Sequence, residues 1–560
     1  MDISGRWVAG AALLAVALLG GCGGPAAPPA GTPAAPAAPG DAAARAAAAL
    51  ADEDLVGQVL MPFAYGADAT AVSPGSVAAN RASAGVDTAA DMIARYRLGG
   101  LILTGQSADD PTAASQPTSN VDDPAQVRRL TDGLQRAARA LPAGVPLLVG
   151  TDQEYGTVAR IRTGVTALPS AMAFGAAARP AATRAAWRAA GAELAAMGVN
   201  VAFAPVADVH AAAPGGVIGS RSYGSTPEAV GGQVAAAVGG LRGAGVAATL
   251  KHFPGHGQTV VDSHADLPRL DRSLPALRSG DLPPFRAGIA AGAGLVMTGH
   301  LDLRAVDPGT PAAFSRPVVT GLLREQLGYD GVVVTDALNM APARRWPPAE
   351  AALRALLAGN DLLLMPPDLP AVHAGLVAAV RDGRLPRDRL VASVARLLRL
   401  KQRWAAVRQP ALSTLRGAAH QHAAAAVAAA AATVLRGRCG GPPLLAGPVT
   451  VTAAADQAPA AARLRAGLAA RGVAVVPAGG VPVHVVGQGD DAADLRADAA
   501  VTVATDTPYV LAAARSPVLL ATYSTTAAAM DAAAAVLVGA AAAPGRAPVA
   551  VPGLPRSTCG

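Results

Sequence analysis

Between residues 55 and 366, short apolar runs recur along the chain, each ending in small or polar residues. They read VLMPFA (59–64), GGLILTG (99–105), VPLLVGTDQE (145–154), VNVAFAPVADV (199–209), VAATLKHF (246–253), GLVMTGHL (294–301), GVVVTDAL (331–338) and DLLLMPP (361–367). The runs are nearly continuous in Val and Leu and lack the alternation of a half-exposed strand. They therefore predict strands buried on both faces, as in a parallel sheet. Most intervals are long enough for a crossover helix. AATRAAWRAAGAELAAMG precedes the fourth run and PEAVGGQVAAAVGGLRGAG the fifth.

Polar residues gather at the C-terminal ends of these runs: Asp152 and Glu154, Asp208, Lys251 and His252, His300, and Asp336. The active sites of (β/α)8 barrels are assembled at strand C-terminal ends. A doubly wound open sheet is the competitor, but it usually carries a glycine-rich phosphate turn after its first strand. MPFAYGADA offers none. An α/β barrel of the (β/α)8, TIM type is expected over residues 49–410. Past Lys401 the pattern changes. Ala-rich helical text runs from about 411 to 436, followed by PVTVTAA, a helix-like AARLRAGLAARG, VAVVPAG, VPVHVVG, AAVTVAT and SPVLLATY. Short strands alternating with helices predict a smaller α/β sandwich domain over 411–560.

The first 22 residues, with Arg6, an apolar stretch from Val8 to Leu19 and small residues before Cys22, read as an export signal. Leu19-Gly20-Gly21-Cys22 is similar to a bacterial lipobox, so Cys22 is the expected lipidation site. The expected location is extracytoplasmic and lipid-anchored to the cell membrane, or secreted if the lipobox is not used. Residues 23–48, rich in Pro, Ala and Gly, read as a tether.

Composition narrows the picture. Of 560 residues, 52% are hydrophobic and only 3% aromatic, so alanine supplies much of the apolar fraction. The net charge of +7 is scattered, without basic runs or interleaved aromatics, which argues against a nucleic-acid partner. Arginine carries nearly all of it: Lys251 and Lys401 are the only lysines. A lysine retained at 251 suggests a position where a compact ammonium serves and a planar guanidinium does not. Cys439 and Cys559, in an exported chain, are candidates for a disulfide, with two free thiols as the alternative.

KHFPGHGQTVVDSH, residues 251–264, holds three of the nine histidines. His252 and His256 have the spacing of a helical metal pair, but Pro254-Gly255 lies between them and breaks a helix. No HExxH and no thiol cluster supports a metal, so neither metal nor cofactor is expected. Acid–base chemistry fits better. In an extended Asp262-Ser263-His264 the carboxylate and imidazole share a face, and the Asp fixes the tautomer of the His and stabilises its charged form.

KHFPGHG followed by DSH, with GVVVTDALNM downstream, resembles glycoside hydrolase family 3, specifically its β-N-acetylglucosaminidase branch. TDQEYGTVARI, NVAFAPVADV and VIGSRSY occur in family order, and TPYVLAAARSPVLLATYSTT resembles the family's second domain. The resemblance implies Asp336 as nucleophile and His264 as general acid/base with Asp262 as its dyad partner. It implies Asp152, Arg160, Arg221, Lys251 and His252 around the terminal sugar, which accounts for the lysine at 251. His256 is expected to shape its loop; Asp208, Glu154 and His300 are expected to support the barrel mouth. Many relatives read DQEGGRV where this chain has Asp152-Gln153-Glu154-Tyr155-Gly156-Thr157-Val158, a departure in the sugar-side loop. The implied activity is retaining removal of terminal N-acetylglucosamine from peptidoglycan fragments, by a monomer. Chitin fragments and glycoconjugates remain open as substrates. A β-glucosidase, a phosphorylase of the same family and a non-catalytic saccharide-binding lipoprotein remain as alternatives.

Overall fold

The computed structural model describes residues 39–105, 118–210, 216–439 and 443–559. The export signal, the lipidation site Cys22 and most of the tether fall on residues 1–38, outside the described residues.

Among the described residues, eight parallel strands form the first core. Strand β1 (Leu60–Met61) is followed by β2 (Gly100–Leu103), β3 (Leu148–Thr151), β4 (Val201–Ala202), β5 (Ala247–Phe253), β6 (Leu295–Thr298), β7 (Val332–Thr335) and β8 (Leu363–Leu364). Strands β2 to β7 lie side by side in chain order, and β1 pairs with β8 in parallel. A bridge between Val334 and Leu362 joins β7 to β8. The Ile102 amide donates to the Pro62 carbonyl at 3.0 Å and joins β2 to β1, so the ring closes. Each apolar run of the sequence contains one of these strands, and their side chains are buried throughout apart from half-buried Ala247 at the start of β5. Helices Pro180–Ala196 and Pro227–Gly243 cover the outside where the sequence placed crossovers. They approach closely at Gly240, where a Cβ would stand 2.6 Å from the Arg184 carbonyl oxygen.

The tether ends earlier than its composition suggests. Pro39–Ala48 is an α-helix, and Ala43 and Ala47, one turn apart, are fully buried in the barrel's apolar core. Alanine is both a common linker residue and the best helix former; burial of one face against the barrel decides between the two.

The second core is a five-stranded sheet with helices. Strand β9 (Thr433–Arg436) runs antiparallel to β13 (Val518–Ala521). β13, β12 (Val501–Ala504), β11 (Val481–Val486) and β10 (Val449–Ala453) follow in parallel order. Two expectations need correction. The helix expected to about 436 spans Ala418–Ala431; Thr433-Val434 are β-branched or apolar and buried against β13, which makes their segment a strand. VAVVPAG forms no strand of its own and pairs with β10 through the Val449–Val475 bridge. The two cores meet along helix Ala418–Ala431, whose Val427 packs with the barrel and Ala428 with the second domain. Met172 and Ala173 share a third apolar cluster with Leu519 and Tyr523 across the seam. Cys439 and Cys559 are bridged, with their Cα atoms 5.1 Å apart, so the tail is stapled to the segment after β9.

Candidate active site

The C-terminal ends of the barrel strands open into a cavity of about 650 Å³. Its floor is an ion-pair network. The Lys251 ammonium lies 2.8 Å from Asp152 Oδ1 and 2.7 Å from Glu154 Oε1. Arg160 Nη2 reaches Asp152 Oδ2 at 3.3 Å. Arg221 grips Glu154 through two hydrogen bonds of 2.7 and 2.9 Å. Burial alone would push both carboxyls up. The surrounding cations outweigh it, Lys251 and Arg160 holding Asp152 far below the usual range and Arg221 and Lys251 drawing Glu154 down to about 2. Burial likewise opposes the charge of Lys251, and Asp152 and Glu154 overcome it. Lys251, Arg221 and both carboxylates are therefore charged at neutral pH and pair with one another across the floor.

Behind this floor, Asp208 is fully buried and organises the KHFPGHG segment. It accepts from the His252 and His256 amides at 3.1 and 2.7 Å and lies 2.8 Å from His252 Nδ1. His252 Nε2 is thereby turned towards Arg221, 3.5 Å away. His256 meets Thr259 Oγ1 and Ser263 Oγ and so braces the turn; burial drives its pKa down to about 4, so it is neutral. Its ring packs edge-on to His252, centroids 5.7 Å apart.

Asp336 follows β7. Its Oδ1 accepts from the Ala337 amide at 2.8 Å. Burial would raise its pKa, but the neighbouring His252, His300 and His264 and the Ala337 amide hold it below the ordinary value. His300 stacks on Phe314 at an interplanar angle of 8° and bonds the Ala337 carbonyl through Nε2 at 3.0 Å, so it buttresses the Asp336 turn.

His264 lies on the loop after the KHFPGHG turn. Its Nδ1 is 2.7 Å from Asp262 Oδ1, which also accepts from the His264 amide at 2.9 Å. The pair is not on an extended segment. Asp262 sits at the start of a turn, its carbonyl accepting from Ala265 and Asp266, and the short Asp side chain closes onto the backbone two residues on. Both side chains are about half exposed and line the cavity with Asp336. Partial burial works against the charge on His264; the Asp262 hydrogen bond and the charges of Asp336 and Asp262 outweigh it, and the pKa is raised.

This barrel, with its strand-end carboxylates and its loop-borne imidazole, coincides with a family domain: residues 55–400 match the glycosyl hydrolase family 3 N-terminal domain. The chain belongs to glycoside hydrolase family 3. A β-hexosaminidase A of Pseudoalteromonas piscicida is 37% identical over 338 residues, covering 56% of this chain and 54% of that protein. The chain thus spans about half the length of that relative. A β-hexosaminidase of Alkalilimnicola ehrlichii is 38% identical over 341 residues, 58% of this chain and 91% of its own length. Among solved structures, a family 3 β-N-acetylglucosaminidase from Paenibacillus sp. FPU-7 superposes with a TM-score of 0.77 at 33% identity, covering 90% of this chain and 99% of that one. The two-domain plan of this family 3 member is therefore shared along nearly its whole described length.

The structure brings Asp152, Arg160, Arg221, Lys251, His252, Asp262, His264 and Asp336 to one cavity. Glu154, expected to support the barrel mouth, joins Arg221 to Lys251. One wall of the cavity was not foreseen from the sequence. Gln488, Asp490, Asp491, Asp506 and Tyr509 of the second domain, with His210 of the barrel, line the same cavity. The five second-domain residues stand in the loops after β11 and β12, at the C-terminal edge of a parallel sheet, where ligands of open α/β sheets bind. That edge was the one signal in the sequence able to reveal them.

Proposed function

We propose that this family 3 protein is a retaining exo-β-N-acetylglucosaminidase. The observation that carries the reading is the Asp262–His264 pair on a half-exposed loop, lining one cavity with Asp336. With Nδ1 committed to Asp262, the Nε2 of His264 is the nitrogen available for proton transfer. Asp336 attacks the anomeric carbon as the glycosidic C–O bond breaks, and Nε2 delivers its proton to the departing oxygen. Water then attacks the same carbon and gives a proton back to Nε2, and the Asp336 ester oxygen leaves. Asp152, Arg160, Arg221, Lys251 and His252 hold the terminal sugar. No cofactor takes part.

Peptidoglycan fragments are the proposed source of the terminal sugar, and the enzyme is proposed to act as a monomer outside the cytoplasm, anchored through Cys22 or secreted. The test is turnover of 4-nitrophenyl β-N-acetylglucosaminide beside the β-glucoside, with and without phosphate, for the chain from residue 23 onwards. Release of free sugar from the N-acetyl substrate alone is expected, abolished in Asp336→Ala. Preference for the glucoside would move the acid away from His264, a sugar 1-phosphate would make the enzyme a phosphorylase, and silence on both would leave a binding protein.

A further inference from the structure

His210 sits at the end of the VNVAFAPVADV run, 1% exposed, and lines the cavity. Neither of its ring nitrogens has a hydrogen-bond partner among the described residues. Buried polar atoms are nearly always paired, so this imidazole is held ready for something that enters the cavity. Its backbone is fixed, the amide donating to the Gly224 carbonyl at 2.8 Å. Across the domain seam, the ring of Tyr509 stands 5.7 Å away at 53° and lines the same cavity.

The place of His210 relative to the acid indicates which part of a ligand it meets. The loop that carries His264 is rooted on the preceding residue. Gln258 Nε2 donates to the Val209 carbonyl at 3.2 Å, and Gly257 lies so close that a Cβ there would stand 2.1 Å from the same oxygen. A group that protonates the departing oxygen faces the aglycone, so the wall at the root of its loop is the aglycone side. Of the side chains assigned to the terminal sugar, Asp152, Arg160, Arg221 and Lys251 are, by contrast, tied into the ion-pair network of the floor, and His252 is held by Asp208.

We propose that His210 and Tyr509 form the subsite for a pyranose aglycone, the sugar ring lying on Tyr509 and a hydroxyl or acetamido group pairing with the His210 imidazole. The proposal rests on the hydrolase reading above and makes β-linked disaccharides the substrate class. A neutral imidazole offers one donor and one acceptor, which suits a hydroxyl, and burial lowers the His210 pKa and favours that neutral form. The second domain is then part of the specificity apparatus.

The test compares His210→Ala and Tyr509→Ala with the unsubstituted chain on three substrates: N,N′-diacetylchitobiose, the N-acetylglucosaminyl–muramic acid disaccharide and the 4-nitrophenyl glycoside. The expected result is a loss of about tenfold in kcat/KM on a disaccharide, mainly in KM, against a several-fold smaller loss on the aryl substrate. His210→Gln, which keeps a donor and an acceptor, is expected to restore most of it. The disaccharide most affected identifies the natural source, chitin or peptidoglycan. Equal losses on aryl and disaccharide substrates would overturn the proposal. Calorimetric binding of chitobiose to Asp336→Asn, with and without His210→Ala, separates it from the hydrolase reading. Equal affinities there would refute the subsite even if no turnover is ever seen.

Discussion

His264 Nδ1 and the His264 amide share a single acceptor, Oδ1 of Asp262, at 2.7 and 2.9 Å. One carboxylate oxygen thus fixes the ring and the backbone together, and leaves Nε2 facing the cavity. The consequence for pH can be worked out in sign. The first step of the proposed mechanism needs His264 protonated, and Asp262 stabilises that form. Removing Asp262 lowers the His264 pKa, so the acid form is depleted at lower pH. The alkaline limb of kcat/KM, which reports the free enzyme, is expected to move to lower pH in Asp262→Ala. His264→Ala should lose about 10²–10⁴-fold on substrates with poor leaving groups. An alkaline limb unmoved by Asp262→Ala would remove Asp262 from any electrostatic role.

Lys251 joins two carboxylates that are themselves held by arginines, at 3% exposure. Lys251→Met leaves Asp152 and Glu154 short of a buried cation and is expected to cost about 3 kcal/mol of stability. Lys251→Arg keeps the charge but replaces a compact donor by a wide fork. It should fold and bind the terminal sugar poorly, seen as a raised KM. Thermal melts beside initial-rate kinetics check both, and a wild-type KM for Lys251→Arg would mean that the shape of the cation is irrelevant.

The eight strands and their polar ends were legible because a parallel barrel buries both faces of each strand and so writes unbroken apolar text. Asp152, Lys251, His252 and Asp336 were legible because they stand in or beside those runs, and His264 because it follows Asp262 in a D-x-H triplet just past KHFPGHG. The boundary at Pro39 was not, since alanine composition alone does not separate linker from helix. The strand Thr433–Arg436 was hidden at the end of an alanine-rich helix, where only pairing with Val518–Ala521 makes it extended. His210 and Tyr509 are 299 residues apart in number, and only the docking of two cores brings their rings together.

Cys439 and Cys559 close a loop of 120 residues. A crosslink of that span stabilises by about 4–5 kcal/mol through the entropy of the unfolded chain. Cys439→Ser together with Cys559→Ser, or reduction of the intact chain, is expected to lower the melting temperature by several degrees. Mass spectrometry under non-reducing conditions should show no alkylatable thiol at either position; two modified cysteines would contradict the bridge.

The chain's other lysine gives the clearest test of burial. Lys401 is 1% exposed, and its ammonium donates to Gln58 Oε1 at 2.6 Å. Gln58 in turn donates to the Arg97 carbonyl at 3.1 Å. Burial pulls the Lys401 pKa down to about 7, against roughly 10.4 in an unfolded chain. Between those values the unfolded state binds the extra proton, so stability rises with pH, by up to about 1.4 kcal/mol per pH unit from this group. Below about pH 7 both states hold the proton, and the cost of burying the charge is at its full, pH-independent value. Lys401→Met removes this slope and adds only a constant offset from the orphaned Gln58 oxygen. Urea unfolding of both proteins at pH 7, 8 and 9 is expected to show the wild type gaining on the variant at each step. Parallel curves would mean that Lys401 stays charged in the core, with Gln58 as sufficient partner.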